Sequence, residues 1–216
     1  MKIKKGWFLA MAVALLPLLV GAAVPNTSGS SEVRWDIVSI NPPTDLTLDP
    51  GGVASARAND CSKITLTGSG TFVAPAGGGG TSSGVTGGGT WETFSASSPC
   101  TCDSTATGTS TGSGTYEVTG LVRWEDAPGS LAPAITDNIG VKADSTSGLA
   151  VLRIEYSDGE RGILVVSCHN PVGSPDAIFE GITATKGFVD YWNHEVAVNG
   201  VDANRTNFHV LRGSNN

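Results

Sequence analysis

Apolar residues recur at every second position along most of the chain, and this period is typical of β-strands. Beyond the N-terminal segment, no stretch has the spacing of an amphipathic helix. Residues 33–40 alternate as far as Ile37, and the pattern changes parity at Val38, as a β-bulge would produce. The clearest predicted strand covers residues 114–125, in which Leu121 alone breaks the alternation. Its apolar face carries Tyr116, Val118, Val122 and Trp124.

Two β-hairpins are predicted in the second half of the chain. The first turns at Asp158-Gly159, a pair that favours a two-residue turn with positive φ at its centre. Such a turn would place Leu152 opposite Val165. The second hairpin covers residues 178–192 and turns near Lys186-Gly187.

The composition agrees with an all-β fold. Glycine accounts for 29 of the 216 residues, and in a helix it costs about 1 kcal/mol relative to alanine. The Gly/Ser/Thr-rich region at about 77–114 is expected to form long loops, except for the strand-like segment 90–94. Nine or ten short strands in all predict an antiparallel β-sandwich, with a closed antiparallel β-barrel as the alternative.

The N-terminal segment has the features of a secretory signal peptide. Three of the first five residues are lysine, a short apolar stretch follows, and small residues then suit signal peptidase. The apolar stretch is shorter than the roughly 20 residues of a membrane span, although an uncleaved anchor is the alternative. The prediction is a secreted or extracytoplasmic protein with no integral membrane span after cleavage. Its parts are a signal peptide (1–23), a polar tether (24–32) and a single β domain (33–212).

The charge balance argues against two classes of partner. The chain has 20 acidic and 13 basic residues, and its formal net charge is −7. It therefore lacks the basic stripe that contacts with phosphate groups require, which argues against nucleic acid and anionic membranes as partners.

The cysteines are candidates for disulfide bonds, because an exported chain with an even number of cysteines favours them. The candidates, whose pairing is left open, are Cys61, Cys100, Cys102 and Cys168. A free Cys168 that packs as a small hydrophobic residue is the alternative. Cys168 also precedes His169, but neighbouring residues of a strand point to opposite faces, which disfavours a nucleophile–base pair.

No cofactor is expected. The cysteines and histidines lack the closely spaced pairs of a zinc site. Asp137, Asn138 and Asp144 place oxygen atoms in one loop and are candidates for calcium binding. A solvated acidic loop is the alternative, because the spacing of an EF-hand is absent.

Aromatic residues on an exported β scaffold can stack on sugars or line an apolar pocket. Most of them are expected in the core, as Trp124 is by its place on an apolar face. Trp192 is the least core-like of them and lies beside Asn193-His194. Trp192 and His194 are therefore the candidate ligand-binding residues.

Five segments resemble those of an uncharacterised family of small secreted bacterial β-rich proteins. They are "GSGTFVAP", "VTGGGTWETF", "VTGLVRWE", "LAVLRIEYSDG" and "IFEGITATKGFVDYWN". The resemblance covers most of the chain from Trp35 to Val210 and implies an exported single β domain. The family has no assigned activity, so the resemblance implies no catalytic residue.

The function expected from these features is binding or surface interaction, with a small apolar molecule or a carbohydrate as the ligand. An extracellular hydrolase with a carboxylate-based site is an alternative, for which no catalytic residue is predicted. A structural envelope component is the other. A deep pocket lined by aromatic residues would favour binding, and two carboxylates across a cleft would favour the enzyme. A filled core with neither would favour the structural role.

Overall fold

The computed structural model describes residues 31–41, 46–75, 83–97 and 108–211. The predicted signal peptide and nearly all of the predicted tether lie outside them. The described residues form fourteen strands and one short 3-10 helix, Lys142–Asp144. The strands are β1 (Glu32–Ile40), β2 (Thr47–Pro50), β3 (Ala54–Arg57), β4 (Lys63–Leu66), β5 (Ser69–Val73), β6 (Gly88–Phe94), β7 (Ser110–Ala127), β8 (Thr136–Asp137), β9 (Ser145–Tyr156), β10 (Arg161–Cys168), β11 (Gly181–Lys186), β12 (Val189–Tyr191), β13 (Asn193–His194) and β14 (Gly200–Leu211).

Six of these strands close into an antiparallel barrel. Around the ring, β1 pairs with β14, β14 with β9, β9 with β7, β7 with β6, β6 with β5, and β5 with β1. The all-β prediction is confirmed, and the architecture is the closed barrel rather than the sandwich. Closure requires strong bending, and β7 supplies it through two register shifts along its pairing with β9.

The register shifts in β7 also explain the irregular residue in its pattern. They fall between Val118 and Gly120 and between Leu121 and Arg123. Each shift changes which side chains face inward, so Leu121 is fully buried whereas Val122 is partly exposed. The predicted apolar face is therefore correct for most of its residues and wrong for Val122.

The hairpin of β9 and β10 is present, but its loop has three residues rather than two. The Tyr156 N–H donates to the Glu160 carbonyl at 2.9 Å. Only Gly159 in the loop has a positive φ, 89°, which is typical of a three-residue turn. The Ser157 N–H, meanwhile, donates to the Thr115 carbonyl in β7 at 2.8 Å, so Ser157 does not pair across the hairpin.

The longer loop shifts the hairpin register by one residue. Leu152 lies opposite Leu164, not opposite Val165 as the two-residue turn predicted. A shift of one residue exchanges the two faces of a strand. Leu164 and Cys168 are consequently buried, whereas Ile163 is only partly buried.

The second predicted hairpin is confirmed in β11 and β12. Lys186 pairs with Val189 across a two-residue turn, Gly187-Phe188, and Gly187 has a φ of 57°.

Further strands extend the sheet outside the barrel. β10, β11 and β12 continue from β9, β4, β3 and β13 continue from β6, and β2 and β8 continue from β1.

The region predicted as long Gly/Ser/Thr-rich loops contains more strand than expected. β6 and the first residues of β7 form an antiparallel pair there. The Thr111 hydroxyl donates to the Thr93 hydroxyl at 2.9 Å across this pair. Cross-strand threonine pairs and backbone hydrogen bonds stabilise such a ladder with few apolar residues besides Trp91, which explains why hydrophobic periodicity does not reveal it.

The described residues bury two separate apolar clusters. The main cluster takes residues from the barrel and from the outer strands, with Trp35 and Ile37 of β1 among them. The second cluster consists of Val38, Ile40, Leu48 and Leu131. The change of parity at Val38 thus marks the point where β1 begins to bury its other face. A register shift against β14 does occur between Val38 and Ile40.

Candidate functional site

A cavity of about 320 Å³ lies beside the second apolar cluster. Its volume falls within the roughly 300–1,000 Å³ that is usual for small-molecule sites. One wall is aliphatic and consists of Ile40, Leu46, Leu48, Leu131, Ala132 and Ile135. The facing wall carries polar side chains, among them His169, Glu180 and Arg205. A larger hollow of about 480 Å³ is bordered by charged side chains such as Arg153 and Arg161 and lacks such an apolar wall.

The polar wall forms where two strands diverge. β14 pairs with β9 at Ser145 and Thr146. From Gly148 onward, the strand that pairs with this edge of β9 is β10 instead. We call this point the fork. Glu180 lies immediately before β11 and bridges the fork. Its Oε1 accepts the Thr206 N–H and its Oε2 accepts the His169 N–H, each at 2.6 Å.

The Glu180 carboxyl is held in an unusual electrostatic environment. Burial raises its pKa to about 7, although the two backbone donors and the charge of Arg205 act in the opposite direction. Within the described ranges, no basic side chain forms an ion pair with Glu180. A titratable group of raised pKa beside an apolar cavity is a common feature of functional sites.

This pKa predicts how Glu180 affects stability. Because its value of about 7 in the folded protein exceeds the ordinary 4.5, the folded state binds more protons than the unfolded chain between these values. The Glu180 contribution to stability therefore falls as the pH rises through that interval. We expect the free energy of unfolding of the wild type, relative to Glu180→Gln, to decrease from pH 4.5 to 7. Urea unfolding of both proteins at several pH values across this interval measures the difference in their free energies of unfolding. A difference that does not change with pH would contradict the raised pKa of Glu180.

Cys168 and His169 point into different surroundings. The Cys168 thiol is buried in the main cluster with its Sγ 3.8 Å from Asn207 Oδ1, and burial raises its pKa. His169 instead lines the cavity. The two residues therefore do not form a nucleophile–base pair.

The cysteine predictions have different outcomes. Cys168 is a free thiol, so its predicted disulfide is wrong and the alternative of a small core residue holds. It lies on the inward face of β10, packed among apolar side chains of the core. Cys61 forms a disulfide bond. The identity of its partner stays a prediction, because the remaining candidates, Cys100 and Cys102, lie outside the described residues.

The loop oxygens that were candidates for calcium have other partners. Asp137 is almost fully buried, and its Oδ2 lies 2.7 Å from His209 Nε2. The Asn138 amide donates to Asp49 Oδ1 at 2.6 Å. Asp144 belongs to the 3-10 helix. In the part of the chain that the structure describes, no group of three or more His, Cys, Asp or Glu side chains is arranged to hold a metal ion.

The two candidate ligand-binding residues lie elsewhere. Trp192 is 54% exposed, and its Nε1 donates to Asn59 Oδ1 at 2.9 Å. The His194 ring stacks on Phe179 at 4.6 Å between centroids, and burial lowers the pKa of His194. Neither side chain lines the cavity beside the second cluster.

Glu180 was missed by the sequence reasoning, although a signal was present. It is an isolated carboxyl within the otherwise apolar segment "IFEGI" at the start of a predicted strand. An acidic residue in such a position must find hydrogen-bond donors or remain protonated. The segment could therefore have been marked as a candidate site.

Comparisons with protein-family models, with curated proteins and with solved structures give no match for this chain. Across the described ranges, no helix has the length and apolar character needed to cross a membrane.

Proposed function

We propose that the protein is a secreted binding module that holds a small apolar molecule in the cavity beside the second apolar cluster. The observation that supports this proposal is the aliphatic wall of a cavity of about 320 Å³, faced by a small set of polar groups. Such a combination is usual in small-molecule sites, where apolar contacts provide affinity and a few polar groups fix orientation. Export and the relation to small secreted bacterial β-rich proteins stay predictions from the sequence.

The character of the walls favours an apolar ligand over the alternatives. Sugars are commonly bound by aromatic faces, and the described residues that line the cavity include no Trp, Tyr or Phe. A glycoside hydrolase usually needs two carboxyl groups across the cleft, and Glu180 is the single acidic residue among the described lining residues.

Binding of 1-octanol, measured by isothermal titration calorimetry, tests the proposal. We expect a dissociation constant on the order of 0.1 mM for the wild type, from the ligand efficiency of small molecules. Ala132 lines the cavity, so Ala132→Trp is expected to fill it and to weaken binding at least about tenfold, a change of about 1.4 kcal/mol.

The matched control is the same substitution two residues further along the loop. Ala134 is exposed and does not line the cavity, so Ala134→Trp is expected to bind octanol like the wild type. No binding to the wild type, or equal loss in the two variants, would refute the proposal. Circular dichroism of both variants verifies that they fold.

A further inference from the structure

We propose that the ligand of this cavity is an amphiphile with a cationic amine at one end, and that Glu180 pairs with the amine. The inference rests on the proposed function, since it identifies the class of ligand that would enter the same cavity.

The Glu180 carboxyl is fixed in place and still has capacity to accept hydrogen bonds. The Thr206 and His169 N–H groups each occupy one position on one oxygen. The Thr206 side chain also hydrogen-bonds the carboxyl. An ionised carboxylate has about four acceptor positions, so about one remains for a ligand. Because backbone groups of β14 and of the residue after β10 hold the carboxyl, it needs little reorganisation to receive a donor.

The charges around Glu180 leave a place for a cation. Arg205 lines the same cavity, but its Nε donates to the Val198 carbonyl at 2.9 Å. No salt bridge joins Arg205 to Glu180 within the described residues. A ligand ammonium would supply the direct ion pair that Arg205 does not form and would favour the ionised carboxyl, whose pKa is raised by burial. The net charge of −7 also attracts cations.

The size of the cavity limits the length of the apolar chain. At about 30 Å³ for each water-sized group, the cavity of about 320 Å³ holds about ten non-hydrogen atoms. Octylammonium has about nine non-hydrogen atoms and therefore matches the volume of the cavity. Octanol and octanoate carry the same kind of chain with a neutral or an anionic head, so the three compounds separate the contribution of the head group.

The experiment compares these three compounds by isothermal titration calorimetry at about pH 8, where Glu180 is mainly ionised. We expect octylammonium to bind about tenfold more tightly than octanol, because a charge-assisted hydrogen bond is about twice as strong as a neutral one. Octanoate is expected to bind more weakly than octanol. In Glu180→Gln, the preference for octylammonium over octanol is expected to fall below about twofold.

A pH series keeps the test independent of any folding defect in that variant. An alkylamine with a pKa of about 10.4 stays charged from pH 5.5 to 8, whereas Glu180 becomes protonated in this interval. The preference for octylammonium is therefore expected to disappear at about pH 5.5. The other titratable or charged groups near Glu180 are Cys168, His169 and Arg205. If the pH effect is lost in His169→Gln, the titration belongs to His169 and the proposal is overturned.

The remaining outcomes separate this proposal from the proposed function. Equal affinity for octylammonium and octanol would overturn the role of Glu180 while leaving the apolar site in place. Tighter binding of octanoate would overturn it in favour of Arg205 as the partner of an anionic head. Failure of all three compounds to bind would refute the proposed function itself.

Discussion

Glu195→Ala is expected to lower the free energy of unfolding by about 3–5 kcal/mol. The Glu195 carboxylate lies between two buried cations, with Oε1 2.8 Å from Arg57 Nε and Oε2 3.4 Å from Lys63 Nζ. All three side chains are less than one-tenth exposed. Removal of the carboxylate therefore takes away the counter-charge that Arg57 and Lys63 share, and these buried cations must be rehydrated or tolerated in the folded state.

Urea unfolding followed by far-ultraviolet circular dichroism measures this effect. The matched control is Glu125→Ala, because Glu125 pairs with Arg123 at the same 2.8 Å distance but on the surface, with side chains 46% and 60% exposed. Exposed ion pairs contribute about 0–1 kcal/mol. If the two variants lose the same stability, the buried ion cluster does not have the role assigned to it.

Trp124→Ala is expected to destabilise the protein by about 3–5 kcal/mol. Trp124 of β7 is 3% exposed and contacts two other aromatic rings. The centroid distances are 5.3 Å to Phe72 of β5 and 4.7 Å to Phe208 of β14. Truncation would remove an aromatic contact shared by three barrel strands and leave a cavity that the closed sheet can only partly collapse.

The control for this prediction is Trp192→Ala, which removes the same side chain from a half-exposed position. Its expected cost is less than about 1 kcal/mol, since surface substitutions usually have small effects. Both variants are compared by urea unfolding, followed by circular dichroism because each lacks one fluorophore. Similar losses in the two variants would show that the aromatic cluster is not central to stability.

The sequence predicts those parts of the fold that depend on local patterns. The alternation along β7 and the turn at Gly187 both depend on neighbouring residues, and both are found. The register of the first hairpin depends on a distant partner, because Ser157 pairs with Thr115 of β7. Barrel closure is non-local too, since the shifts near Leu121 that bend β7 leave only a small break in its pattern.

The candidate site was harder to predict for the same reason. The carboxyl of Asp137 looked available for calcium, yet its partner is His209, 72 residues away. The segment around Glu180 shows an isolated carboxyl, but its backbone donors, His169 and Thr206, come from distant parts of the sequence. No local pattern predicts that β10 and β14 separate at this point. The aromatic residues of the sequence predict a binding function, whereas the position of the cavity depends on the three-dimensional arrangement of the second apolar cluster.

The fork also determines how the site would respond to a ligand. β9 pairs with β7 along one edge and with β14 and then β10 along the other. The groups that hold Glu180 lie in β14 and directly after β10, and both of these strands are hydrogen-bonded to β9 of the barrel. Their conformational freedom is lost when the chain folds rather than when a ligand arrives, so the polar wall is preorganised. This wall would then act as a rigid receptor for the head group of a ligand, which it selects by fit rather than by closing around it.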